Sequence, residues 1–146
     1  MPRNVVDIIA DLDALAAHDF DYTKAGANGL ERLDALCDEL QQTNDPAASV
    51  PAMYRTMERL DDVELGSPGS IVHTLESWSG GYETLLAQSV RRKPTPLSVW
   101  MVNRILNAGP PDAESWLAAL RSVLDNPNAS EETKAGAMSF LEYQAG

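Results

Sequence analysis

Histidine is the side chain best suited to metal binding and proton transfer, and the chain has only two, His18 and His73, which are far apart in sequence. Neither belongs to a His-Glu-x-x-His motif or to a His/Cys spacing that would place two ligands on one helical face. We expect His18 at the end of the first helix, where an imidazolium complements the negative end of the helix dipole. His73 is expected to be a part-buried helix residue, so a shared metal site is not predicted.

The segment that begins at Asp19 starts like a calcium-binding loop, with acidic residues at its first and third positions. An EF-hand loop requires glycine at the sixth position and a bidentate glutamate at the twelfth. This chain has Lys24 and Leu30 there. We therefore predict a solvated loop between helices, whose aspartates add to an acidic surface.

Cys37 is the one cysteine, so the chain can form no internal disulfide and no multi-cysteine metal site. It shares a helical face with Leu33 and Leu40, and the acidic residues beside it raise the pKa of a thiol. The sequence contains no Gly-x-Ser-x-Gly elbow and no phosphate-binding loop. We predict a core cysteine, no enzymatic activity and no cofactor.

The charge of the chain is strongly negative and unevenly distributed. It contains 22 Asp/Glu and 11 Lys/Arg, a net charge of −11. Residues 1–66 have a balance of −9 and residues 67–146 a balance of −2. Such a field repels nucleic acid and anionic lipid and speeds the encounter with a basic protein. The alternative is that the acidity serves only solubility.

The apolar stretches are far shorter than a membrane span requires, and the first residues are acidic where a signal peptide would be basic and then apolar. The single cysteine fits a reducing compartment. The sequence therefore predicts a cytoplasmic protein.

Apolar residues recur at helical spacing in eight segments, each bounded by capping residues, proline or glycine. No segment alternates as a hairpin strand would. Predicted inward-facing residues include Ile8 and Leu12, Leu33 and Leu40, Met53 and Met57, Ile71 and Leu75, Leu86 and Val90, Val99 and Val102, Trp116 and Leu120, and Ala137, Met138 and Leu141. Predicted helix starts include a capping box at Asn28 and Glu31, and caps at Ser49, Ser67 and Thr95.

Short connectors force successive helices to run back and forth. The sequence predicts a single all-α domain over residues 1–146, with an acidic half (1–66) and a short-helix half (67–146). It has about eight short to medium antiparallel helices, arranged as a degenerate HEAT-like α-solenoid or an irregular helical bundle. The chain shows no clean self-similarity at the period of a HEAT unit, so any repeat is degenerate.

The segment from Gly69 to Ala108 resembles small helical immunity proteins of bacterial polymorphic toxin and contact-dependent growth inhibition systems. The resemblance lies in a helix ending at Glu76-Ser77-Trp78, a helix start at Gly81-Tyr82-Glu83, and the segment Trp100-Met101-Val102-Asn103-Arg104-Ile105-Leu106-Asn107 after a proline-containing turn. It implies HEAT-like helices that bind and neutralise a cognate toxin domain, commonly a cationic nuclease. In that case Asn103 and Arg104 would tie helices together by hydrogen bonds and a salt bridge.

The resemblance and the charge together give a predicted partner-binding set in which acidic residues predominate. Its members are Asp34, Asp38, Glu58, Asp61, Asp62, Glu64, Glu76, Trp78 and Tyr82. The expected partner is a basic toxin domain, with no nucleic acid and no membrane. The main alternative is a helical-repeat adaptor that binds a protein other than a toxin. Aromatic residues such as Trp78 and Tyr82 are also typical core anchors.

Overall fold

The computed structural model describes residues 3–66, 68–78 and 81–146, and in these ranges it contains eight α-helices and no β-strand. This confirms the all-α prediction. The helices are α1 (Val5–Ala14), α2 (Gly29–Gln41), α3 (Val50–Arg59), α4 (Ser70–Glu76), α5 (Glu83–Arg92), α6 (Pro96–Asn107), α7 (Ala113–Leu124) and α8 (Glu131–Ala145). Short 3₁₀ turns occupy Ala17–Phe20 and Pro46–Ser49.

The chain divides into two compact units, Met1–Tyr82 and Glu83–Gly146. The net charge is distributed very unequally between the two units. The first unit contains 15 Asp/Glu and five Lys/Arg, a balance of −10, whereas the second contains seven and six, a balance of −1. The acidic half recognised in the sequence therefore lies entirely within the first unit.

In the first unit, polar contacts define the direction of each helix. Arg3, just before α1, contacts Glu39 near the end of α2 at 2.6 Å, so these two helices are antiparallel. Arg55 of α3 contacts Asp13 near the end of α1 at 3.0 Å, and Arg59 donates to the carbonyl of Leu15 at 3.0 Å. The C-terminal ends of α1 and α3 therefore lie together, and these two helices run parallel.

Helices α2 and α4 of this unit are also parallel. Ser70 at the start of α4 donates to Asp34, and Gln41 at the end of α2 donates to Thr74 at 3.2 Å. Later residues of α4 contact later residues of α2, so the two helices run in the same direction. The first unit consists of two antiparallel pairs, α1/α2 and α3/α4, stacked in the same orientation.

The second unit repeats this arrangement. Asn126, after α7, donates to the carbonyl of Arg91 near the end of α5 at 2.9 Å, which makes α5 and α7 parallel. A Cβ added to Gly136 of α8 would lie 3.7 Å from Val99 of α6, and Gln144 lies within 2.9 Å of Asn107 at the end of α6. Helices α6 and α8 are therefore parallel as well.

Within each unit, two antiparallel helix pairs stack with like helices side by side, which is the packing of helical-repeat proteins. The arrangement is consistent with the degenerate HEAT-like prediction. Helix lengths range from seven residues in α4 to 15 in α8. The pairs begin at Val5, Val50, Glu83 and Ala113, so the interval from one pair to the next shortens along the chain. Unequal intervals explain why no regular period is visible in the sequence.

The predicted apolar stripes form the cores of the units. Most inward-facing residues are at most 2% exposed: Ile8, Leu12, Leu33, Leu40, Met53, Met57, Ile71, Leu75, Leu86, Val90, Val99, Val102, Leu120 and Ala137. Two predictions are wrong. Met138 is 45% exposed, because α8 turns Thr133 and Ala137 inward instead. His73 is exposed on α4, since its neighbours Val72 and Thr74 take the buried positions.

The predicted helix caps are confirmed in part. Thr95 accepts a hydrogen bond from the backbone N–H of Ser98 at 3.0 Å, so α6 begins as predicted. The predicted capping box of α2 is wrong, because Asn28 makes no side-chain cap. The Tyr22 hydroxyl instead accepts from the backbone N–H of Leu30 at 2.9 Å and donates to Glu31.

The starts of α3 and α4 also differ in detail from the prediction. Ser49 precedes α3, but its hydroxyl donates to the carbonyl of Pro46 instead of capping the helix. The predicted cap Ser67 lies outside the described residues. Helix α4 begins at Ser70, after Gly69 at φ +88°, where a Cβ would lie 2.3 Å from the Leu65 carbonyl oxygen. Only glycine fits this connector without displacing the backbone.

Candidate functional site

The exposed side of α2 carries a stripe of carboxylates. Glu31, Asp34 and Asp38 are spaced i, i+3 and i+7, so they lie on one helical face, and all three are exposed. Asp34 and Asp38 are four residues apart, a like-charge spacing that destabilises a helix by about 0.2–0.5 kcal/mol. The i, i+4 spacing of Asp34 and Asp38 therefore does not itself stabilise α2.

The cations of the first unit are engaged within that unit. Four of its five Lys/Arg side chains form ion pairs and Arg59 caps carbonyls of α1: Arg3 pairs with Asp11 and Glu39, Arg55 with Asp13, Arg32 with Asp19, and Lys24 with Asp21. These pairs use carboxylates other than Asp34, Asp38 and Asp62. These ion pairs therefore do not neutralise the exposed carboxylates of Asp34, Asp38 and Asp62.

A second acidic group lies at the end of α3 and in the connector to α4. Asp62 and Glu64 are exposed, whereas Glu58 and Asp61 are partly buried. The Glu64 carboxylate accepts from the backbone N–H of Gly66 at 3.0 Å. This connector leaves the C-terminal end of α3 and leads to Ser70, which contacts Asp34. The structure therefore brings the connector and Asp34 to the same end of the unit, while Asp38 lies one turn further along α2.

The remaining predicted binding residues are partly or largely buried. Glu76 is the last residue of α4 and is partly buried, and Trp78 is partly exposed. Tyr82 is only 9% exposed, and its carbonyl accepts a 3.0 Å hydrogen bond from the buried Tyr54 hydroxyl. Tyr82 is therefore largely buried and presents little surface to a partner.

The aspartates of the calcium-like segment are satisfied by protein groups. Asp19 accepts from the backbone N–H of Ala16 at 2.9 Å, and this hydrogen bond lowers the pKa of its carboxyl. Asp21 accepts from both the backbone and the hydroxyl of Thr23. In the three described ranges, no group of three His, Cys, Asp or Glu side chains is placed to hold a metal ion.

Cys37 is buried at 1% exposure on α2, as the apolar stripe predicts. The pKa of its thiol is raised to about 11, chiefly by burial; hydrogen bonds with Thr74 and Ser70 act to lower this pKa, and the nearby Asp34 and Asp38 carboxylates act to raise it. A thiolate is the reactive form of cysteine, so the fold suppresses nucleophilic chemistry at this position.

This burial gives a direct prediction for thiol labelling. At pH 8, the native protein should react with a disulfide reagent such as DTNB at least tenfold more slowly than the same protein in urea, where the thiol regains an ordinary pKa near 8.5. The measurement is the absorbance change on reaction. Equal rates in the two states would contradict the burial and pKa of Cys37.

Sequence reasoning missed two surface features. The Tyr22 side chain is 50% exposed, and its hydroxyl donates a hydrogen bond to Glu31 at the start of α2. On α6, the guanidinium of Arg104 lies 5.4 Å from the centroid of the Trp100 ring, a cation–π arrangement. The i, i+4 spacing of Trp100 and Arg104 was the available signal, but it does not reveal which ring face is accessible.

Among the described residues, no helix combines the length and apolar character that a membrane crossing requires. The chain matches no protein-family model, no curated protein sequence and no solved structure.

Proposed function

We propose that this protein is an immunity protein, which binds and neutralises a basic toxin domain through the acidic surface of its first unit. The observation that carries the proposal is the separation of charge between two units of similar fold. Stacked helix pairs need no net charge to pack, yet one unit has a balance of −10 and the other −1. A requirement for solubility alone would not favour one unit over the other.

The proposed contact surface consists of the exposed carboxylates of α2 and of the α3–α4 connector, here called the acidic surface: Glu31, Asp34, Asp38, Asp62 and Glu64. These groups lie on a folded scaffold, so a partner meets them at fixed positions. Complementary charge speeds association and suppresses wrong partners more than it adds raw affinity. A cationic nuclease-type domain fits this chemistry, and the resemblance from Gly69 to Ala108 supports the choice of a toxin.

The test is co-expression of the full chain with the toxin domain encoded beside it. We expect restored growth of the host and co-purification of the two proteins, because neutralisation requires a stable complex. A toxin domain from an unrelated system serves as the specificity control. If the adjacent domain is neither neutralised nor co-purified, the immunity proposal fails and the adaptor alternative is favoured; co-purification without growth rescue would show binding without neutralisation and would also contradict the proposal.

A further inference from the structure

Helix α8 has a methionine on its outward side. The helix packs on α6 and α7 and buries Thr133 and Ala137, whereas Met138 is 45% exposed. Methionine is enriched where protein surfaces meet, and its flexible thioether side chain adapts to irregular contacts. Met138 therefore marks an apolar position of α8 that the packing of the second unit leaves uncovered.

The residues around Met138 form a symmetric pattern, here called the α8 strip. Lys134 and Glu142 lie four residues before and four residues after Met138, so all three follow one stripe of the helix. Ala135 and Leu141 lie three residues before and three residues after it. All five residues are at least partly exposed. The strip therefore has an apolar centre and charges of opposite sign at its two ends.

A second copy of the strip in antiparallel orientation complements this pattern. When two α8 helices meet at Met138 across a twofold axis, Lys134 of each copy faces Glu142 of the other, about 6 Å along the helix on either side of the centre. Ala135 of each copy faces Leu141 of the other, so a small side chain leaves room for a large one. The strip is therefore self-complementary, as a twofold contact between identical surfaces requires.

The charged residues at the two ends of the strip are available for such a contact. In the part of the chain that the structure describes, no cationic side chain pairs with Glu142. Lys134 lies 3.9 Å from Glu131 of its own helix, but the Glu131 side chain is 95% exposed, so this pair is weak. The second unit has a balance of only −1. Copies that meet through this unit therefore bring together nearly neutral surfaces.

We propose that the α8 strip is a self-association surface, through which two copies of this chain form an antiparallel, twofold dimer. A parallel pair would set Lys134 against Lys134 and Glu142 against Glu142, so the charges select the antiparallel orientation. Each copy contributes one helix of 15 residues, which is about 22 Å long, so the contact is smaller than a standard interface. The dimer is therefore weak, with a dissociation constant on the order of 100 μM.

This inference does not rest on the proposed toxin binding. The acidic surface belongs to the first unit and meets a basic domain, whereas the α8 strip belongs to the second unit and meets another copy of the same chain. Failure of growth rescue would leave the dimer unaffected, and a monomeric chain would leave the immunity proposal unaffected.

The first test is sedimentation equilibrium of the full chain over a range from about 10 to 500 μM, where a weak dimer forms and dissociates. We expect a reversible shift from the monomer mass towards the dimer mass. Met138→Glu places two like charges face to face at the twofold axis, so it should raise the dissociation constant at least tenfold.

The matched control is Tyr143→Glu. Tyr143 is also an exposed apolar residue of α8, at 67% exposure, but it lies about 140° around the helix from Met138. The substitution adds the same charge outside the strip, so the dissociation constant should change by less than about twofold. Melting curves establish that both variants are folded.

The deciding measurement mixes two charge variants, Lys134→Glu and Glu142→Lys. Each variant alone places like charges opposite one another at both ends of its own dimer, so each should self-associate at least tenfold more weakly than the original chain. In an equimolar mixture, one variant contributes two glutamates and the other two lysines, so both facing pairs become complementary. Sedimentation with a dye on the N-terminal amine of one variant should therefore show a mixed dimer about as tight as the original.

The control mixture combines Lys134→Glu with Asp125→Lys. Asp125 is exposed in the second unit but lies outside α8, and its substitution changes the net charge as Glu142→Lys does. This mixture retains facing glutamates, so no tight mixed dimer should form.

Three outcomes would overturn the inference. The first is a chain that stays monomeric at about 500 μM, which would mean that the α8 strip serves another partner or none. The second is a dimer that Met138→Glu weakens no more than Tyr143→Glu does. The third is a mixture of the two charge variants that associates no better than each variant alone.

Discussion

Replacement of Leu33 by alanine is expected to lower the free energy of unfolding by about 2–5 kcal/mol, the range for a fully buried leucine. Leu33 is 0% exposed and lies in the middle of α2, the helix that carries the proposed contact surface. Truncation removes its buried apolar area and leaves a cavity that surrounding side chains fill only in part. A loss of this size is a large fraction of the stability of an ordinary domain.

The matched control for this prediction lies on the same helix. Leu30 is partly exposed in the first turn of α2, so Leu30→Ala should cost clearly less than Leu33→Ala. Urea unfolding followed by far-ultraviolet circular dichroism measures both values. Equal losses in the free energy of unfolding at the two positions would contradict the packing of α2, in which Leu33 is buried and Leu30 is partly exposed.

Local features of the fold could be predicted because they depend on residues close in sequence. The spacing of Leu33, Cys37 and Leu40 defines one buried side of α2 and leaves Asp34 and Asp38 on the other. Thr95 and Ser98 likewise form a cap within a single turn of chain. In both cases the physical cause is helical periodicity or a backbone N–H that lacks a partner within the helix.

The missed features depend on contacts between distant residues. Tyr22 caps α2 from eight residues before Leu30, and no pattern near Asn28 indicates this competitor. Tyr82 is fixed by a hydroxyl 28 residues earlier in the chain, at Tyr54. The hydrogen bond that shows α6 and α8 to be parallel joins Gln144 to Asn103, 41 residues earlier in the chain. The periodicity of apolar residues in one sequence does not predict contacts between residues that are far apart in the chain.

The same distinction applies to the candidate sites. Net charge and its location can be counted, so the acidic character of the first unit is visible in the sequence. The polar face of α6 is different, because the orientation of the Asn103 and Asn107 amides depends on Gln144 of another helix.

The double substitution Asp38→Lys, Asp62→Lys is expected to lower the association rate constant with the toxin domain about tenfold at low ionic strength, because steering by complementary charge is weakened. Both carboxylates are exposed, and the change takes the net charge from −11 to −7. The control, Asp125→Lys, Glu142→Lys, gives the same net charge but alters exposed positions of the second unit. It should slow association less, since its charges lie outside the acidic surface.

Stopped-flow measurements across a salt series separate the effect of steering from other effects of the substitutions, because screening removes the steering contribution and the rates of all variants should converge. Equal slowing by both double variants would show that net charge alone governs the encounter, and no slowing by either would remove the electrostatic basis of the proposed contact.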